Sequence, residues 1–204
     1  LDEGTTPLHI ASHKGHLGVV RILCETGADQ DRVTLNDGAT PLHIASQMGH
    51  LDVVRLICEM GADKDKATLI DGTTPLYIAS QNGHLEVVRV LCEMGADKDK
   101  AKPGGATPLH IASQMGHLEV VRVLCEMGAD KDKAKPSGPT PLYIASYNGH
   151  LEVVRVLCEM GADKDNAMLN DGSTSLCIAS QMGHLEVVRG PLRDGRRQGQ
   201  GNAE

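Results

Sequence analysis

The chain has 204 residues, no Phe, no Trp and three Tyr, and a formal net charge of −7. A single large globular core draws much of its buried area from aromatic side chains, so this composition points instead to a thin core of Leu, Val, Ile and Ala renewed along the chain. The acidic balance argues against phosphate-backbone binding as a main role, and no run of about 18 apolar residues is present to span a membrane.

In chain order, Leu1-Asp2-Glu3-Gly4 has neither a basic patch nor an apolar run, so no secretory leader is read there. It also lacks an initiator Met and opens inside a repeat, so the chain is expected to be part of a longer product. The first repeat, 2–35, carries Thr6-Pro7-Leu8-His9, then Gly15-His16-Leu17, then Gly27-Ala28-Asp29. The same three marks return at Thr40, Gly49 and Gly61 in 36–69, and at Thr74, Gly83 and Gly95 in 70–102. They return again at Thr107, Gly116 and Gly128 in 103–135, and at Thr140, Gly149 and Gly161 in 136–169. The sixth repeat, 170–189, reads Thr174-Ser175-Leu176-Cys177 and loses the closing Gly-Ala-Asp. Successive threonines stand 33 or 34 residues apart, a period that marks a stacked array.

The third repeat shows what each mark does. Asp71-Gly72 is a turn signal. Thr74 stands where an N-cap belongs, with Pro75 at the first helical position. Leu76, Ile78 and Ala79 continue a short helix, and Gly83 supplies the left-handed residue that ends it. A second helix is expected from His84, with Leu85, Val88 and Cys92 beside Val87 and Leu91 on an apolar stripe and Glu86 and Arg89 on the other face. Gly95 closes it. Each repeat is thus a turn, a short helix and a longer antiparallel helix, and only stacked repeats share a continuous core. The expected class is all-α, a solenoid of stacked helix-turn-helix units with β-turn tips.

The expected array runs over 1–189. Gly190-Pro191 stops the last helix, and 190–204, rich in Gly, Arg and Gln, is expected to be a disordered tail. Neither end carries the polar-faced capping repeat that solenoids use, so the terminal repeats are expected to fray. The fourth and fifth tips, Lys102-Pro103 and Lys135-Pro136, are one residue shorter than the others.

The tetrad, the Gly-His-Leu step, the Val-Val pair and the Gly-Ala-Asp closure resemble the ankyrin repeat over roughly residues 2–189. The resemblance implies an ankyrin-repeat solenoid in which His9, His43 and His110 are hydrogen-bonded to the cap threonines. It also implies that the tips and the two residues before each Gly-His line a concave groove that meets partners. Where Leu35, Leu69 and Leu169 stand, the family commonly has Asp.

Chemistry finds less support. Cys24, Cys58, Cys92, Cys125 and Cys158 occupy one place on the second-helix stripe, and stacked helices about 8–10 Å apart cannot be bridged by a bond that needs Cα atoms within about 7 Å. They are expected to be small buried hydrophobes, and such free thiols favour a reducing compartment, cytoplasmic or nuclear. His16, His50, His84, His117, His150 and His184 form a ladder with rungs too far apart to share one ion. No nucleophile elbow, phosphate loop or His-Glu-x-x-His helix is present. The reading is no catalytic, cofactor or metal site, and the Asp-Lys-Asp-Lys loops are expected to be a solvated edge.

Variation among the repeats collects at the tips and before each Gly-His. The expected contact residues are Asn36, Gln47, Met48, Ile70, Gln81, Asn82, Gln114, Met115, Tyr147 and Asn148, with Met48, Met115 and Tyr147 as apolar anchors. The expected role is a protein-interaction module for a partner protein, with no nucleic acid, membrane or small-molecule substrate. The alternative is a structural spacer attached to a functional domain outside this chain, which the near-identity of the repeats favours.

Overall fold

A computed structural model describes residues 4–136 and 138–192. Most of the expected tail, 193–204, lies outside the described residues. The described residues contain twelve helices and no strand. The chain divides into two compact halves, Leu1–Pro108 and Leu109–Glu204.

The N-terminal half holds three helix pairs: α1 (Pro7–Lys14) with α2 (Leu17–Glu25), α3 (Pro41–Met48) with α4 (Leu51–Glu59), and α5 (Pro75–Gln81) with α6 (Leu85–Glu93). The first helices stack α1 on α3 on α5, and the second helices α2 on α4 on α6. Local chemistry sets each boundary. Thr40 is extended, at φ −92° and ψ 166°, and its hydroxyl accepts the His43 N–H while Pro41 fills the first helical position. Gly49 then ends α3 in the left-handed region, at φ 73°.

The expected stripe on α6 is met and widened. Val87, Val88, Val90, Leu91 and Cys92 are buried, while Leu85 is only half-buried and Glu86 is exposed. The helix starts at Leu85, with His84 as its N-cap. On α2 the positions equivalent to Val53 and Leu56, which are 1% and 5% exposed, are Val19 and Ile22, 49% and 62% exposed. The helix α4 packs on a preceding second helix, α2, whereas α2 has no such neighbour among the described residues.

The C-terminal half continues from α7 (Pro108–Met115), whose first residue lies at the boundary, through α8 (Leu118–Glu126), α9 (Pro141–Asn148), α10 (Leu151–Glu159), α11 (Ser175–Gln181) and α12 (Leu185–Arg189). Here α8 stacks on α10 and α10 on α12, while α9 stacks on α11. Leu109, Leu124, Leu142 and Leu157 are fully buried. After Arg189 the chain turns at Gly190, Leu192 is buried, and the Lys164 ammonium donates to the Pro191 carbonyl at 2.7 Å.

Candidate functional site

Three ladders of polar contacts fix one repeat on the next. The first is the cap histidine. His43 Nδ1 accepts the Thr40 N–H at 3.2 Å and meets the Thr40 hydroxyl at 2.8 Å, while its Nε2 reaches the Thr73 carbonyl of the next repeat at 3.0 Å. An acceptor at Nδ1 and a carbonyl at Nε2 define the neutral ring protonated on Nε2. Burial lowers the pKa of His43 below the ordinary histidine value, and does the same to His9. Tyr77 and Tyr143 fill this slot in the third and fifth repeats, and Cys177 in the sixth.

The second ladder is the histidine that precedes each second helix. His50 Nε2 donates to the His13 carbonyl at 3.0 Å, and His84 to that of Gln47 at 2.9 Å. In the C-terminal half His150 donates to Gln114 and His184 to Tyr147, at 3.0 and 2.9 Å. Each bond satisfies a carbonyl at the C-terminal end of the preceding first helix, where no intrahelical partner exists. These histidines are thus structural cross-links, a role their one-per-repeat spacing leaves open.

The third ladder runs through the Asp-Lys-Asp loops. Asp65 Oδ1 accepts the backbone N–H of Asp97 in the next repeat at 2.9 Å, and Asp31 Oδ1 accepts that of Asp63 at 3.0 Å. Asp132 does the same for Asp163 at 2.8 Å. The loops are expected from sequence to be only a solvated edge; in the structure they also join repeats.

Above these cross-links the N-terminal half opens a groove of about 740 Å³. Its floor carries Ile10, Ile44 and Ile78 from α1, α3 and α5, and its tip side carries Asp37, Ile70 and Asp71. All ten residues expected to meet a partner are exposed. Gln47 and Ile70 line the groove; Asn36, Met48, Gln81 and Asn82 stand on the N-terminal half outside its lining. Gln114, Met115, Tyr147 and Asn148 belong to the C-terminal half, at the ends of α7 and α9. The side-chain amides of Asn82 and Asn148 turn back to the Ile78 and Ile144 carbonyls at 2.9 and 2.8 Å, so their N–H groups cap their own helices. The isoleucines were legible only as helix residues, because a position that is apolar in all six repeats reads as core.

Among the described residues no three His, Cys, Asp or Glu are placed to hold a metal ion, and no helix is long and apolar enough to cross a membrane. The six cysteines are unbridged. Cys58, Cys92 and Cys125 have thiols pushed up to about 11, burial being the main cause. Cys24, Cys58 and Cys92 lie buried as expected, whereas Cys125 and Cys158, expected to be buried with them, are half-buried, and Cys177 is exposed.

The family model for ankyrin repeats, built as three copies, matches the chain over residues 1–68, 63–135 and 127–192. A crystallographically solved ankyrin repeat domain from Acinetobacter baumannii is similar at 27% sequence identity, covering 91% of this chain and 95% of that one, with a TM-score of 0.83. No curated protein matches the chain.

Proposed function

The chain belongs to the ankyrin repeat family, and from that premise we propose that it binds a partner protein through the first-helix ends and turn tips of its repeats. Ankyrin repeats are in general protein-protein interaction modules, and the fold is typically non-enzymatic. The observation that carries the finer reading is the groove of about 740 Å³ in the N-terminal half, walled by side chains from three repeats. Its apolar floor and polar rim match the anatomy of surfaces that bury a partner's side chain and leave hydrogen bonds at the edge. Met48 is 42% exposed beside it, and Met115 and Tyr147 are 49% and 47% exposed on the C-terminal half. Such side chains add adaptable apolar contact area.

The test is affinity capture with wild-type protein and with the variant Met48→Glu, Ile70→Glu, Met115→Glu, Tyr147→Glu, in which Ile70 is the change inside the groove, after far-ultraviolet circular dichroism shows both to be equally helical. Partners retained by the wild type and lost by the variant support the reading. Identical captures leave the chain as a spacer whose neighbours do the recognising, a role that the threefold recurrence of Gln-Met before Gly-His would then explain.

A further inference from the structure

The groove of the N-terminal half is unlike the corresponding surface of the other half in two independent ways. Ile10 is 39% exposed at its floor and Ile44 and Ile78 are half-buried, whereas Ile111, Ile144 and Ile178 at the same helix position are 7%, 8% and 7% exposed. The two tips bounding the groove carry Asp37 and Asp71. The shorter tips at 102–106 and 135–139 carry no carboxylate, and in the C-terminal half Asp171 alone stands at this place.

Both groove carboxylates are held by a single oxygen. Asp37 Oδ1 accepts the Thr34 hydroxyl and the Ala39 N–H, the latter at 3.0 Å. Asp71 Oδ1 accepts the Thr68 hydroxyl at 2.6 Å and the Thr73 N–H and hydroxyl at 3.3 and 2.9 Å. Both side chains are exposed, and Oδ2 takes none of these bonds. Donors on one oxygen fix the orientation of the carboxylate and leave the other as an acceptor, the geometry that suits a charge-assisted bond to a cation. Lys14 is the one lysine or arginine of the lining, on the last turn of α1, and His9 and His43 are buried against the floor. Lys102, whose ammonium stands 5.1 Å from the Tyr77 ring centre, lies in the field of Asp71, so Asp37 is the less compensated of the pair.

The spacing of this pattern selects a ligand shape. Asp37 and Asp71 hold the same place in adjoining repeats, whose first helices stack on one another and, as packed helices do, lie about 8–10 Å apart. A polyproline-type extended chain rises about 3.1 Å per residue with three residues per turn, so every third side chain recurs on one face at about 9 Å. We propose that this groove takes an extended peptide segment with basic side chains at every third residue, each next to an apolar one. The basic groups reach Oδ2 of Asp37 and Asp71, and the apolar groups rest on Ile10, Ile44 and Ile78. Lys14 repels a further cation at the α1 end and so helps set the register. This inference rests on the groove reading above and adds the chemistry of the partner.

Fluorescence anisotropy on the full chain tests it, with three labelled nonapeptides. One has arginine at its first, fourth and seventh positions, leucine after each, and serine elsewhere. The second replaces its arginines by glutamate, and the third its leucines by serine. The arginine-leucine peptide is expected to bind about tenfold more tightly than either twin. Asp37→Asn with Asp71→Asn, which keeps the Oδ1 acceptors, is expected to remove that advantage. Asp52→Asn with Glu86→Gln, an equal loss of charge on exposed faces of α4 and α6, is expected to leave it unchanged. If the glutamate twin binds as well as the arginine peptide and Ile44→Ser abolishes both, the basic preference is wrong and the groove stands. If the two double variants weaken binding equally, the attraction is net charge and the proposal fails. If no peptide binds, the proposal fails, and the affinity capture above decides separately whether the groove reading fails with it.

Discussion

His84 Nε2 donates to the Gln47 carbonyl at 2.9 Å, and the same imidazole lies so close under Gly49 that a Cβ there would stand 2.8 Å from its Nδ1. One ring therefore caps the preceding helix and occupies the space that makes glycine necessary. Gly49→Ala carries two separate costs: a left-handed backbone at φ +73°, about 1–2 kcal/mol for an L-residue, and the collision with the ring. His84→Ala alone should cost about 1 kcal/mol for a largely exposed hydrogen bond. Combined, they should destabilise by less than their sum, by at least about 0.5 kcal/mol, since the second change removes the collision. Urea denaturation of the four proteins measures this, and strict additivity would show that the ring yields freely.

Asp65 tests the loop ladder in a way that separates geometry from charge. Its Oδ1 accepts the Asp97 N–H at 2.9 Å. Asp65→Ala removes the acceptor and should cost roughly 0.5–1.5 kcal/mol. Asp65→Asn keeps an oxygen in place and should remain close to wild type. Were the loop only a solvated charge edge, the two variants would lose equally.

These cross-links also show how far the sequence could be read. Thr74, Pro75 and Gly83 state their roles in their chemistry, because a cap hydroxyl, a fixed φ and a left-handed residue act within a few positions of themselves. Helix pairs and their order followed from that. His84 and Asp65 reach the neighbouring repeat, to Gln47 and Asp97, and a one-dimensional period shows that a residue recurs without showing what it touches. The candidate surface was half legible for a related reason. Variation between repeats pointed to Gln47 and Ile70, but Ile44 is invariant along the chain and still lines the groove. Invariance conceals a surface position whenever the same side chain serves as core in the other half, as Ile144 does.

The buried cap histidines predict an acid limb in stability. Burial lowers the pKa of His110 from 6.5 to about 4, helped by Lys135 and opposed by the bond to the Pro139 carbonyl. With the folded value below the unfolded one, the unfolded chain takes up the proton first. Stability is therefore complete above about pH 6.5 and is lost as pH falls toward 4, by on the order of 3 kcal/mol for this residue. Asp37 and Asp71 have lowered values, so their contribution is lost only below the carboxylate range near 3.8. His110→Tyr, which copies the residue found at 77 and 143, should flatten the limb between pH 6.5 and 4. Denaturation midpoints across that range that superimpose on wild type would show that His110 is not held neutral.

Two faces of α6 should differ sharply in tolerance. Leu91 is fully buried, and Leu91→Ala should cost about 2–5 kcal/mol through the cavity it leaves. Glu86 meets Arg89 only at 3.9 Å, with the Glu86 side chain largely exposed and that of Arg89 partly so, so Glu86→Ala should stay within about 0.5 kcal/mol. Equal losses in chemical denaturation would mean that the helix is turned the other way.

The thiols give a reading of packing that needs no change to the core. Reactivity follows the thiolate, and burial raises the pKa of Cys24, Cys58, Cys92, Cys125 and Cys158 alike. Cys177 sits in the cap-histidine slot of the sixth repeat, exposed, with the Thr174 hydroxyl donating to its Sγ at 3.4 Å. Under native conditions an aromatic disulfide reagent should therefore modify Cys177 in a fast phase and the remaining five in a slow one, with the half-buried Cys125 and Cys158 ahead of the buried Cys24, Cys58 and Cys92. Cys177→Ser should remove the fast phase and leave the slow one intact. The slow rate should accelerate in Leu91→Ala, since local opening then costs less. Fast modification of Cys24, Cys58 or Cys92 in the wild type would place a buried ladder cysteine outside the core, and with it the apolar stripe that defines the second helices.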